Sequence, residues 1–513
     1  MLLEKPSLLK SIRLNVLIAL TAIAIATAAV VAIHSIDQPL VILGAIAAGI
    51  GLVIAFFKPE LALLALVFMA FTRAPIVAPV IKDLPNLSMV LSLALALLLV
   101  LRRLLFEEAI EGWLSLVLLL GPYGLLALAS MLWAREPDAA WAGLVEFFKD
   151  LTLAIVVAIS IRRVSTLRHV IWALLLAGIF LGSISIFQQF TGNLQNDFFG
   201  FGQVRLMNIV GETSGYRIIG PGMEPNTYGL YMALLVPLAM DRLWVERKIL
   251  LQVLALLAFA ACSLTVIFTF SRGAFVTLIF AIGLFLILRP PQPALILSIL
   301  LLSAVLWTFV PSIYIDRMST LTYLVPSNNE DEPLSVRSGN VDDILSDVSF
   351  RGRLSENIAG IQMSLDHPLF GVGLDNFKAH YLDYSSELGL DSRREGRAAH
   401  NLFLEFSAEM GILGLVWFLF LNWIALRGLY KAHLDLNQLQ DHQVSGLAAA
   451  FAVSLASFLV GSIFRHLVYP TQVWLLYAII LSIPRLSQSE LAETLQLNPP
   501  AFHKKPSRGI PNG

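Results

Sequence analysis

Long apolar runs recur along most of the chain, separated by short polar connections. A hydrocarbon core about 30 Å thick takes roughly 20 apolar residues of helix. The runs therefore predict membrane spans near residues 14–34, 39–57, 60–73, 86–101, 113–133, 145–162, 168–190, 225–242, 249–270, 272–289, 294–311, 401–426, 444–464 and 467–484. The run at 60–73 is short. Reading it with 39–57 as one span plus a re-entrant segment lowers the total, so the expectation is roughly 12–14 spans. The longest break in the pattern covers residues 312–399.

That break has two parts. Residues 312–350 are polar and acidic, with Asn328-Asn329-Glu330-Asp331-Glu332 followed by Asp342, Asp343 and Asp347, and read as a flexible stretch or a lid. Residues 353–366 predict a helix, because Leu354, Ile358, Ile361 and Leu365 recur on one face at helical spacing. Such a helix suits a membrane interface. Pro368 ends it, and Gly371-Val372-Gly373 makes a turn.

The positions of Lys and Arg orient the spans. With the N-terminus inside, the inner segments hold nineteen Lys and Arg, the short outer connections hold eight, and the other eight lie in the long loop. The long loop is then outside. The expected fold class is all-α: a polytopic transmembrane helical bundle with one long extracytoplasmic loop that contains short amphipathic helices. Its expected segments are N-terminal transmembrane helices (1–190), transmembrane helices with outer arginine motifs (191–311), the long loop (312–399), C-terminal transmembrane helices (400–484) and a disordered cytoplasmic tail (485–513).

Composition sharpens this picture. Of 513 residues, 57% are hydrophobic and only 14% charged, and the mean hydropathy is +0.77. Soluble domains are nearer 45–50% apolar and about 25% charged. The 35 Lys and Arg balance 36 Asp and Glu, so net charge points to no partner. The bilayer is the expected partner, and no nucleic acid is expected. Lys5, Lys10 and Arg13 precede the first apolar run. Although Ala26-Thr27-Ala28 mimics a cleavage site, an uncleaved first span is the better reading. The lone Cys262 excludes an internal disulfide or a cysteine-based metal site, and reads as a small buried hydrophobe.

Four features collect on the outer side. They are Gly215-Tyr216-Arg217-Ile218-Ile219-Gly220 with Glu224-Pro225-Asn226 after it; Phe270-Ser271-Arg272-Gly273-Ala274-Phe275; Arg351-Gly352-Arg353; and His400-Asn401. Arg272, set between two apolar runs, is costly there unless it snorkels or meets a partner. Arg217, Arg351 and Arg353 read either as solvated charges or as members of one site. Glu405 and Glu409 follow His400 along a predicted helix. Glu409 would lie about 13 Å into the span, where a structural polar contact is the leading reading. Guanidinium groups grip phosphate oxygens in pairs and keep their charge. A histidine beside them takes a proton from an attacking hydroxyl. Together they suggest a lipid diphosphate displaced by an alcohol. The chain has no Asp-x-Asp pair and no clustered metal ligands in sequence, which favours a metal-free route in which arginines stabilise the leaving diphosphate.

These residues resemble the O-antigen ligase / O-antigen polymerase superfamily of bacterial membrane glycosyltransferases. Arg217-Ile218-Ile219-Gly220 with Pro225-Asn226 is similar to its Arg-x-x-Gly…Pro-Asn element, and Ser271-Arg272-Gly273 to its Ser-Arg-Gly turn. Arg353 with Pro368-Leu369-Phe370-Gly371-Val372-Gly373-Leu374-Asp375-Asn376-Phe377 is similar to its loop helix and turn, and His400-Asn401 with Gly411 and Gly414 to its signature after the large loop. Asn357 stands where the family has an aromatic residue.

The resemblance, which covers residues 217–484, implies transfer of a glycan from an undecaprenyl-diphosphate carrier to a sugar hydroxyl. The acceptor would be lipid A–core for a ligase or a growing polysaccharide for a polymerase. The reaction would run on the periplasmic side of a bacterial inner membrane, without cofactor or metal. Arg217 and Arg272 would bind the diphosphate, and His400 would position or deprotonate the acceptor. Arg353, Arg351, Asn401, Asn226 and Glu224 would contact substrate. A solute transporter, such as one for inorganic carbon, is the rival from another class. A transporter should place its charges near mid-membrane, whereas here they mark the outer boundary.

Overall fold

The computed structural model describes residues 57–73, 94–98, 112–210, 213–290, 348–386, 388–390, 395–438, 442–465 and 470–497, with single positions at 101, 301, 304, 308, 314, 315 and 318. It is an all-α polytopic bundle. In chain order the helices are α1 (Pro59–Thr72), α2 (Trp113–Ser130), α3 (Pro137–Ser160), α4 (Val164–Thr191), α5 (Pro225–Val245), α6 (Ile249–Phe268), α7 (Arg272–Leu288), α8 (Val348–Asp366), α9 (Phe377–Ser385), α10 (Leu402–Gln438), α11 (His442–Ser462) and α12 (Thr471–Leu497). Among the described residues five helices, α2, α4, α6, α10 and α11, are long and apolar enough to cross a membrane. The helices α1 and α7 are apolar but shorter. The expected span 14–34, most of 39–57, 86–101 and 294–311, and nearly all of the acidic stretch 312–350 lie outside the described residues.

The helix α5 is the hub, buried along almost its whole length between α4, α6, α7 and α11. Small residues let its neighbours approach closely: a methyl group at Gly182 of α4 would sit 2.8 Å from the Ala261 methyl of α6. Polar ties join the helices inside this apolar mass. The Ser454 hydroxyl of α11 donates to the Leu234 carbonyl of α5 (2.8 Å), and Tyr477 of α12 donates to Asn422 of α10 (2.8 Å).

Three local expectations change. First, α3 begins at Pro137, which suits the first turn of a helix, rather than at 145. Lys149 and Asp150 therefore lie midway along the helix, and Asp150 accepts from Thr471 of α12 at 2.9 Å. Second, residues 203–219 form an antiparallel hairpin, β1 (Gln203–Val210) with β2 (Thr213–Ile219), in which Arg205 faces Arg217. Third, α12 continues through the expected disordered tail as far as Leu497. Buried Leu486 and Ser487, and the Arg485 guanidinium donating to the Ala158 and Ile161 carbonyls, hold that extension.

The predicted loop helix exists as α8. It buries its small and polar face (Ser355, Glu356, Ala359, Gly360, Met363) on α9 and α10, and leaves Ile361 and Leu365 exposed. What seats it is a break in α10. Gly411 has φ +63° and ψ −167°, so the helix stops and restarts there. The backbone of 368–377 closes the gap. The Val372 and Gly373 N–H groups donate to the carbonyls of Ala408 (2.8 Å) and Glu409 (2.9 Å), and the Ile412 N–H donates to Pro368 (2.8 Å). The Glu409 carboxylate accepts from the Asp375 and Phe377 N–H groups at 3.0 and 3.1 Å. The same segment grips the α2–α3 connection: Trp133 donates to the Gly371 carbonyl, Leu374 N–H to Ser130, and Glu136 N–H to Asn376.

Gly371 itself has φ +69°, and a methyl group there would collide with the backbone of Glu409. A left-handed backbone costs a non-glycine residue about 1–2 kcal/mol before any clash. Gly371→Ala is expected to lower the melting temperature in detergent markedly, whereas Gly121→Ala, with open space around it, is expected to leave it within a degree or two. Differential scanning fluorimetry of both variants checks this.

Candidate functional site

At one end of the bundle the N-termini of α5 and α7 open into a narrow cleft. Its walls include Asn226, Ser271, Arg272, Arg353, Phe464 and Arg465. Ser271 caps α7 by accepting from the Ala274 N–H (3.3 Å), which places Arg272 on the first turn. Phe270, just before the cap, holds φ +50° and packs against Tyr314. Helix N-termini carry partial positive charge, so two of them beside three guanidinium groups make a site for an anion.

Arg465 was not among the site residues expected from sequence. Its guanidinium pairs with Glu224 (3.0 Å) and Thr227 at the start of α5, while its buried Nε has no hydrogen-bond partner among the described residues. Glu224 therefore serves as the partner that aims Arg465. Arg217 lies one step behind the cleft. It is buried, and donates to the Thr269 carbonyl at the end of α6 and to the Asn226 side chain, both at 2.7 Å. Its cation suits a helix C-terminus, and it fixes Asn226 in the cleft wall. Arg73 reaches the same end, donating to the Gly222 carbonyl at 2.8 Å. Arg135 does so through Asp383 of α9. Arg351 is not in the cleft wall.

Three residues after Arg353 along α8 comes Glu356, a fully buried carboxylate that sequence reasoning passed over. One oxygen pairs with Arg397, and the other lies 2.9 Å from Nδ1 of His400. His400 occupies a strained backbone position, φ +46°, of the kind that collects at functional sites. Residues three apart on a helix are neighbours, so α8 carries both the cleft-lining Arg353 and the partner of His400. The structure brings Arg272, Arg353 and Asn226 together, sets Arg217 behind them, and places His400 beside α8. Among the described residues, no three His, Cys, Asp or Glu side chains meet in a way that would hold a metal ion.

Residues 257–419, about a third of the chain, match the O-antigen ligase family. This segment is similar to the O-antigen ligase domain. It contains Arg272, Arg353, Glu356 and His400, and with the apolar helices it supports a multi-pass membrane protein of the O-antigen ligase/polymerase type. Arg217, Glu224, Asn226 and Arg465 fall outside the O-antigen ligase match, on segments packed against it. None of the curated proteins compared with the chain is a significant match.

Asn401 caps α10, its side-chain oxygen accepting from the N–H groups of Phe403 (3.1 Å) and Leu404 (3.3 Å). Losing such a cap costs about 1 kcal/mol. Asn401→Ala is expected to lower thermal stability, and Asn401→Asp, which preserves the acceptor, to restore it. Thermal unfolding of the pair reads this out.

Proposed function

We propose that the protein is a membrane glycosyltransferase that moves a glycan from an undecaprenyl-diphosphate carrier to a sugar hydroxyl, on lipid A–core or on a growing polysaccharide. The active site faces the periplasmic side of a bacterial inner membrane. The observation that carries this reading is the cleft itself, where Arg272, Arg353 and Arg465 meet the N-termini of α5 and α7, with His400 held beside the same loop helix.

The chemistry follows from that arrangement. The diphosphate sits against the guanidinium groups and helix ends, which stabilise the charge that develops as it leaves. The acceptor oxygen attacks the anomeric carbon, and the bond from that carbon to the diphosphate oxygen breaks. The bonding pair stays on the diphosphate, and the hydroxyl proton passes to His400. Attack opposite the leaving group inverts the anomeric centre. Asn226, fixed by Arg217, contributes an amide to the cleft wall, and Glu224 keeps Arg465 in place. The fold supplies every charge this route uses, so transfer is expected to continue in the presence of a chelator.

The test is transfer by the purified protein in lipid, with an undecaprenyl-diphosphate glycan and candidate acceptors. His400→Ala is expected to lower turnover by about 10²–10⁴-fold, the usual range for a general base. Arg272→Ala and Arg465→Ala are expected to weaken donor binding and turnover together. Undiminished transfer in both His400→Ala and Arg272→Ala would sink this assignment.

A further inference from the structure

We propose that Leu365, Leu369 and Phe370, where the loop helix meets the turn after it, are sunk in the hydrocarbon of the leaflet on the cleft side. The partner of this surface is lipid, and α8 is an anchored interfacial helix rather than one suspended in water. The inference goes beyond the glycosyl-transfer reading and does not depend on it.

The outward surface of α10 changes at Gly411. After the break, Ile412, Leu413, Val416, Leu419, Phe420 and Trp423 stand exposed along the helix. On a helix long and apolar enough to cross a membrane, that face belongs in lipid. Before the break, no residue from Asn401 to Gly411 is exposed, because α8 packs over this part of α10. The outward surface passes to the cover, where Ile361, Leu365, Leu369 and Phe370 are exposed. The Ile412 N–H bonds the Pro368 carbonyl at 2.8 Å, so Leu369 and Phe370 continue the apolar face of α10 without a gap.

The helix α2 supplies the level. Leu114, Leu118, Leu125 and Leu132 make an exposed stripe at helical spacing, with exposed Trp113 and Trp133 at its two ends. Those ends are about 30 Å apart by helical rise, which matches the hydrocarbon thickness of a bilayer. Tryptophan favours the two boundaries of that layer. The Trp133 ring lies 5.7 Å from the ring of Phe370, and its Nε1 donates to the Gly371 carbonyl at 3.1 Å. Phe370 is therefore level with the boundary tryptophan.

Charge begins just beyond. Arg135, two residues after Trp133, pairs with Asp383 of α9. The exposed side of α8 is itself divided lengthwise. Ile361, Leu365 and Leu369 follow at four-residue intervals, and Gln362 and Asp366 form a polar stripe beside them. A helix divided in this way lies in the interface plane with its apolar stripe in the acyl region. The same helix carries Arg353 to the cleft wall, so the bilayer surface sets the height of that guanidinium.

Site-directed spin labelling tests the proposal. The only cysteine, Cys262, is buried, and Cys262→Ala provides the background. Nitroxides are attached one at a time in Leu365→Cys and Phe370→Cys. Val416→Cys on α10 is the lipid reference, and Lys378→Cys, exposed on α9, is the aqueous one. Leu369→Cys replaces either test variant that fails to fold. Each protein is reconstituted into phosphatidylethanolamine–phosphatidylglycerol vesicles. Collision with oxygen, which concentrates in hydrocarbon, is compared with collision with a water-soluble nickel chelate. The oxygen-to-nickel ratio at Leu365 and Phe370 should resemble that at Val416 and exceed that at Lys378 several-fold. Ratios like that at Lys378 would overturn the proposal. So would dipolar broadening between labels on two molecules, which would make the patch a contact between copies. Neither readout uses transfer activity, so the result is independent of what the cleft binds.

Discussion

The break at Gly411 governs how the end of the molecule that holds the cleft is built. An unbroken α10 would satisfy its own backbone and offer the loop nothing but side chains. Interrupted, it exposes the carbonyls of Ala408 and Glu409 and the N–H of Ile412, all inside the protein. Buried backbone groups left unpaired are expensive, so the segment 368–377 is drawn into the gap and held there by main-chain bonds. Because α8 runs directly into that segment, its height and rotation above the bundle are set by the joint. The reach of Arg353 and Glu356 is set with them.

The charges in this region follow one rule. Two buried carboxylates are matched by donors that the fold places beforehand: Glu409 by two backbone N–H groups, and one oxygen of Glu356 by the Arg397 guanidinium. At the opposite end, Asp241 meets Arg242 and Arg289. Arg272, Arg353 and Arg465 line the cleft, and Glu224 at the start of α5 pairs with Arg465. The polar ends of α5 and α7 add to the same sign. On the proposed reading a diphosphate is the complement of that field and a neutral sugar is not, so the cleft would take the donor's head and leave its cargo outside.

Much of this was legible in the chain. Runs of apolar residues reveal membrane helices because lipid leaves few alternatives, and α2, α4, α6, α10 and α11 fall where those runs lie. The motif residues Arg272, Arg353 and His400 also announced themselves, being charged or titratable at the edges of apolar segments. What stayed hidden depended on partners distant in sequence. Glu356 looks like any polar residue on an amphipathic helix until Arg397 and His400 fold against it. The apolar spacing of Leu354, Ile358, Ile361 and Leu365 drew attention to the opposite face of α8. Arg465 is one arginine after a span, and only the start of α5 gives it a direction. The hairpin left a faint local signal, Gly211-Glu212 between two stretches able to form strands, which the search for spans passed over.

The joint at Gly411 also imposes an order on biogenesis. Residues 368–377 are synthesised before the carbonyls and the Glu409 carboxylate that secure them, and their other anchors, Ser130, Trp133 and Glu136, are synthesised much earlier. Until the ribosome has passed Ile412, the segment has one half of its socket and not the other. Arg272 of α7 is made before this socket is complete, and Arg465, which completes the cleft wall, is made after it, so the joint precedes the cationic cleft.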